Sequence, residues 1–121
     1  MTDDQTPPTT FTVDDISLGG GVTQADRDLM EETLHQVVSR LDAVKASVEA
    51  QLSIKDRDSS DPKTTLEVWI AGLPRMVATS DQLEPRDAFN EVGANIVKQV
   101  NVASERREPR NNRHKRDTIR G

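Results

Sequence analysis

Residues 44–54 alternate in polarity without a break. Val44, Ala46, Val48, Ala50, Leu52 and Ile54 fall on one parity, and Lys45, Ser47, Glu49, Gln51 and Ser53 on the other. Successive side chains of a strand point to opposite faces, so this pattern predicts a strand with one face buried and the other wet. The remaining apolar stripes then have to cover one face of a sheet.

Those stripes can be read in order. Phe11, Val13, Ile16 and Leu18 make a short strand over residues 10–18, with an irregularity at Asp14-Asp15, and Gly19-Gly20-Gly21 ends it in a flexible turn. Thr23 followed three residues later by Asp26 is a capping box. Beyond it Leu29, Met30, Leu34, Val37, Val38 and Leu41 recur at helical spacing. After residues 56–63, a polar turn, Leu66, Val68 and Ile70 alternate with Thr65, Glu67 and Trp69. Gly72 and Pro74 lead to a fourth strand over residues 75–79. Pro85 suits the first position of a second helix, whose apolar face is Phe89, Val92, Ile96, Val100 and Ala103, and Pro109 closes it. The order is β-α-β-β-β-α. A right-handed crossover makes the first two strands parallel, and short links make the later ones antiparallel. The predicted fold is an α+β two-layer sandwich, two helices on one face of a four-stranded sheet. Val48 and Ile96 are both placed on its core side.

Charge is unevenly distributed. The net charge is −5, yet residues 105–121 carry seven basic and three acidic side chains, +4 in all, which leaves residues 1–104 at −9. A basic end on an acidic body suggests a polyanionic partner for that end. Residues 1–9 are acidic, contain Pro7-Pro8 and read as a disordered N-terminal tail, with nothing of a secretory signal. Residues 109–121 read as a basic flexible C-terminal tail. No 18-residue apolar run predicts a membrane span. The absence of cysteine excludes disulfides and thiolate zinc sites and fits a reducing, cytoplasmic setting.

Three local strings resemble the ribosome hibernation promoting factor family, also called the ribosome-associated inhibitor A, protein Y or sigma-54 modulation family. They are Val22-Thr23-Gln24-Ala25-Asp26-Arg27 at the entry to the first helix, Ala88-Phe89-Asn90 in the second, and Gln99-Val100 further along it. The likeness spans residues 10–108. It implies a fold like a double-stranded-RNA-binding domain. It also implies a factor that binds the small (30S) ribosomal subunit and its 16S rRNA in the tRNA and mRNA path near the decoding centre, silencing or protecting idle ribosomes under stress. Similarity to the short members implies a monomer off the ribosome that does not pair ribosomes into dimers. Phe89 and Asn90 depart from the family's Ile and Asp. Its helices usually present many cations, whereas here Arg27 and Arg40 stand among Asp26, Asp28, Glu31, Glu32 and Asp42.

The candidate RNA contacts are Arg27, Arg86 and Lys98 on the body and Arg106, Arg107, Arg110, Arg113, Lys115 and Arg116 in the basic end. Arginine binds phosphate through two parallel hydrogen bonds and stacks on unpaired bases. Either the basic end supplies the charge the helices lack, or the chain is a divergent paralogue that uses its acidic first helix to hold a basic protein. Trp69 is a candidate for base stacking or protein contact, weighed against simple packing within the sheet. His35 reads as a surface residue. The carboxylates of Asp56, Asp58 and Asp61 lack the glycine and the bidentate glutamate of a calcium loop. No nucleophile–base pair, metal-ligand set or cofactor motif is evident, so the expectation is a binding protein without catalytic residues, metal, cofactor or small-molecule substrate.

Overall fold

The computed structural model describes the backbone of residues 10–120 and the side chains of residues 10–105; the expected N-terminal tail, residues 1–9, lies outside the described residues. The strands are β1 (Ile16–Leu18), β2 (Val48–Lys55), β3 (Lys63–Ile70) and β4 (Met76–Ser80), and the helices are α1 (Arg27–Ala43) and α2 (Pro85–Arg120). The four strands form one sheet in the order β1-β2-β3-β4. β1 runs parallel to β2, while β3 is antiparallel to both β2 and β4. The α+β two-layer sandwich expected from the polarity pattern is the observed fold.

Both helices cover the same face. Leu52 and Ile54 of β2, Leu66, Val68 and Ile70 of β3 and Ala78 of β4 are buried beneath Met30, Leu34, Val37 and Leu41 of α1 and Phe89, Val92, Ile96 and Val100 of α2. Apart from Ala78, each such side chain contributes about 1.5–3 kcal/mol relative to exposure. The helices run side by side in the same direction, since Arg86 reaches Glu32 near their starts and Arg40 reaches Asn101 further along both. Gly93 is buried between them: a Cβ there would stand 3.0 Å from Leu34 Cδ2, so its lack of a side chain permits the close approach.

Several boundaries differ from the sequence reading, each for a physical reason. The first strand is only three residues long, because Val13–Asp15 form a 3-10 turn instead. Val44 caps α1 and Lys45 takes a left-handed conformation (φ 56°), so the alternation over residues 44–47 belongs to the helix exit and β2 starts at Val48. Val48 is on the core side as expected and packs against the core, but it is only half-buried. The triple glycine makes the expected turn, closed by Val22 N–H donating to Gly19 O (3.2 Å), and the turn is pinned to the sheet. Gly19 N–H donates to Leu52 O (2.7 Å) and Ile54 N–H donates to Gly20 O (2.7 Å). At Gly21 (φ +80°) a Cβ would fall 2.1 Å from Ile54 O.

The helical backbone of α2 continues through Pro109 to Arg120, so Pro109 does not end the helix. Proline's fixed φ is itself helical; what it removes is one i→i−4 hydrogen bond. Arginine, lysine and glutamate, frequent among the flanking residues, are good helix formers.

The entry to α1 is locked by one carboxylate. Thr23 Oγ1 accepts from Ala25 N–H (3.2 Å), and Thr23 N–H donates to Asp26 (3.0 Å), completing the expected capping box. Asp26 is also buried, and Arg57 from the β2–β3 turn donates to both its oxygens (2.8 and 2.9 Å) and to Gly21 O (2.7 Å). The Arg57 hydrogen bonds, against the cost of burial and aided by Thr23 N–H, hold the Asp26 carboxyl below the usual carboxylate range. Replacing Asp26 by Ala is expected to cost about 1–3 kcal/mol, because the cap is lost and Arg57 loses its partner. Urea melts of the two proteins measure this. A carboxyl whose pKa is lowered by folding contributes fully above its unfolded value of about 3.9 and loses its contribution as pH falls through the folded value. The difference between wild type and Asp26→Ala therefore shrinks as the pH is taken down from about 5.

Candidate nucleic-acid interface

The outer surface of the two helices is where a phosphate backbone would lie if the helices carried the contacts. Arg27 begins α1 and turns back on its own fold. Its Nε donates to Asp14 (2.6 Å), a second guanidinium nitrogen donates to the same carboxylate (3.0 Å), and the third reaches Glu31 (2.9 Å), one helical turn on. Those bonds lower the pKa of Asp14 and raise that of Arg27. Arg86, in the first turn of α2, donates to Glu32 of α1 (2.7 Å), which holds the Glu32 carboxyl below its ordinary range. Each of these arginines is already matched with carboxylate charge.

Two other cations on this surface keep their charge unmatched among the described residues. Arg40 donates to Asn101 Oδ1 (2.7 Å) and to Ser104 Oγ (3.1 Å), both neutral, and ties the helices together. Lys98 is exposed on α2 and forms no ion pair among the described residues. The body has five arginines, and carboxylates engage four of them: Arg27, Arg57, Arg75 and Arg86. The expected body contacts Arg27, Arg86 and Lys98 thus lie on one helical layer, with two of the three paired. The side chains of Arg106, Arg107, Arg110, Arg113, Lys115 and Arg116 lie outside the described residues; their backbone continues α2. Only the Arg27–Glu31 pair could be found from spacing, being four residues apart on a helix. Arg27–Asp14, Arg86–Glu32 and Arg57–Asp26 join residues 13 to 54 positions apart and left no local signal.

On the opposite face of the sheet no described helix packs. Trp69 is 37% exposed there, so it is neither packed away nor fully presented, and its cross-strand partner is Glu49. Glu67, two residues along β3, takes Arg75 (3.1 Å). His35 is exposed on α1, with Nδ1 3.2 Å from Glu32 O. In the turn after β2, Ser59 Oγ donates to Asp56 O (2.7 Å) and accepts from Asp61 N–H (3.0 Å); among the described residues no cluster of three potential metal ligands occurs. Among them, too, no helix is long and apolar enough to cross a membrane.

No protein-family model and no curated protein sequence matches the chain. Its fold is similar to a solved structure, the N-terminal domain of Protein Y from Thermus thermophilus, with a TM-score of 0.57 and 17% identity. The match covers 71% of this chain and 94% of that domain. At this identity the likeness is one of architecture.

Proposed function

We propose that this chain is a non-enzymatic, cytoplasmic ribosome-binding protein of the hibernation type, which occupies the small subunit through 16S rRNA and silences or protects idle ribosomes. The observation that carries this reading is the architecture shared with the N-terminal domain of Protein Y, the family that the strings at residues 22–27 and 88–90 also resemble. In this reading Arg106, Arg107, Arg110, Arg113, Lys115 and Arg116 supply most of the phosphate contacts. Lys98 and Arg40 add charge on the helical layer, and Arg27 and Arg86 contribute by exchanging their carboxylates for phosphate.

Co-sedimentation with purified 30S subunits across a salt titration tests it. Phosphate neutralisation makes nucleic-acid binding fall steeply with salt. Saturable binding at low salt that declines linearly on logarithmic axes is the expected outcome. Failure to co-sediment even at about 50 mM salt, where such contacts are strongest, refutes the proposal. Within this experiment Glu32→Gln is expected to strengthen binding by a few-fold, because Arg86 then no longer has to leave a carboxylate to meet a phosphate.

A second reading has a specific observation in its favour: four of the five body arginines are consumed by carboxylates, while Asp28, Glu31 and Glu32 of α1 stay exposed. An acidic module of this fold would hold a basic protein rather than RNA. Retention of total cell protein in preference to 30S subunits distinguishes the two.

A further inference from the structure

A cleft of about 680 Å³ opens at the β1 edge of the sheet, next to the last turn of α1. Its origin is the short first strand. β2 directs the N–H and C=O groups of its even-numbered residues toward β1, as Leu52 O accepting from Gly19 and Ile54 N–H donating to Gly20 show. In a parallel ladder the partner amides recur every second residue, so after Gly19 and Ser17 the next would be Asp15 N–H on Val48 O. The 3-10 turn diverts it: Asp15 N–H donates to Thr12 O instead (2.9 Å). The chain then moves away to α1, where Phe11 N–H donates to Asp42 Oδ1 (2.8 Å). Among the described residues, the β1 side of Val48 is left as an open strand edge facing the cleft.

The lining has one sign of charge and an aromatic wall. Asp15, Asp42 and Glu49 border the cleft, the aromatic residues Trp69 and Phe11 belong to its lining, and among the described residues no lysine or arginine lines it. Glu49 and Trp69 are cross-strand neighbours, both exposed. A phosphate backbone would be repelled here. A guanidinium or ammonium group would meet a carboxylate at Glu49 and a ring face at Trp69, an arrangement favourable to cation–π contact. An open strand edge, for its part, recognises extended polypeptide through main-chain hydrogen bonds.

We propose that this cleft is a docking site for an extended, arginine- or lysine-bearing segment of a partner protein, which adds beside Val48 and places a cationic side chain between Glu49 and Trp69. The site is at the β1 edge of the sheet, between the last turn of α1 and the face opposite the helices, and the inference stands independently of ribosome binding.

The test uses the full chain and an eight-residue peptide of alternating arginine and valine. Trp69 is the only tryptophan, so its fluorescence reports the site directly. The peptide is expected to change Trp69 emission and to shift the amide resonances of Val48 and Glu49. Glu49→Lys, at an exposed position, is expected to weaken binding at least tenfold. Asp81→Lys, an equal charge change at an exposed site outside the cleft, is expected to weaken it less than twofold. Trp69→Leu, followed by calorimetry, is expected to weaken it several-fold while circular dichroism stays unchanged. Equal losses in Glu49→Lys and Asp81→Lys overturn the proposal, since they report only general charge. Spermine binding as tightly as the peptide overturns the polypeptide occupant, and an oligouridylate that alters Trp69 emission overturns the exclusion of RNA from this cleft.

Discussion

Ile96→Asp is expected to abolish folding, while Val48→Asp leaves the domain folded. Ile96 is fully buried on the face of α2 that meets the sheet, amid Leu34, Val37, Leu66 and Val92 in one core. A carboxylate placed there has no partner. Burying it unpaired costs several kcal/mol by the small-molecule transfer scales, and more if it stays ionised. Loss of the isoleucine contacts adds about 2–5 kcal/mol by analogy with truncations to alanine. The sum reaches or exceeds the roughly 5–15 kcal/mol that holds a domain of this size together. Val48 has the same parity as Leu52 in the sequence pattern, yet it stands half-exposed at the rim of the β1-edge cleft. An aspartate there can turn to water, so its expected cost is about 1 kcal/mol, the centre of the distribution for point substitutions. Far-ultraviolet circular dichroism and urea melts decide both. A folded Ile96→Asp protein with an unshifted melt contradicts the assignment of this face to the core.

The contrast between these two valine and isoleucine positions shows where sequence periodicity is informative and where it stops. Alternation over residues 48–54 and helical spacing through Leu34, Leu41, Phe89 and Val100 were legible because each buried face repeats with the period of its own element. The parallel pairing of β1 with β2 followed from the right-handed helical crossover that joins them. Ends were less legible. Val44 and Ala46 continue the alternating pattern by coincidence, because Leu41 and Val44 are also one helical turn apart, and the chain leaves the helix at the left-handed Lys45 before β2 starts at Val48. Gly19-Gly20-Gly21 reads as a loop by composition, but what fixes it is hydrogen bonding to Leu52 and Ile54 more than thirty residues away.

The charged surface was the least legible part. The sequence shows how many carboxylates stand near Arg27, but not which ones it chooses, because Asp14 reaches it only through the 3-10 turn at Val13–Asp15. Exposed pairs of this kind add little stability, about 0–1 kcal/mol each. Their consequence is functional: a guanidinium held by two carboxylates brings no net positive charge to an incoming phosphate. Counting cations along α1 therefore overstates what that helix can offer RNA, and the weight shifts to the end of the chain.

Removing residues 105–121 is expected to leave the fold intact and to weaken binding to 30S subunits at least tenfold. Among the described side chains of α2 the buried ones are Ala88, Phe89, Val92, Gly93, Ile96 and Val100, all of which the shortened protein keeps, together with Ser104 and its bond from Arg40. What it loses is charge. The full chain is −5, while residues 1–104 alone are −9, and a body of that charge is repelled on average by a phosphate-covered surface. If about five of the lost cations contact phosphates, the slope of log affinity against log salt for the full chain is about −3 to −4, using the single-strand coefficient of roughly 0.7 per contact. The shortened protein should show a slope nearer zero. The competing possibility is a local basic groove in which Arg27, Arg40, Arg86 and Lys98 converge, and its prediction is opposite: unchanged affinity and unchanged slope after truncation. The pairing of Arg27 with Asp14 and of Arg86 with Glu32 argues against that groove, since half of its cations are neutralised where they stand. A truncated protein that melts like the full chain and binds 30S subunits as tightly, with the same salt dependence, would move the RNA contacts from the C-terminal segment to the body.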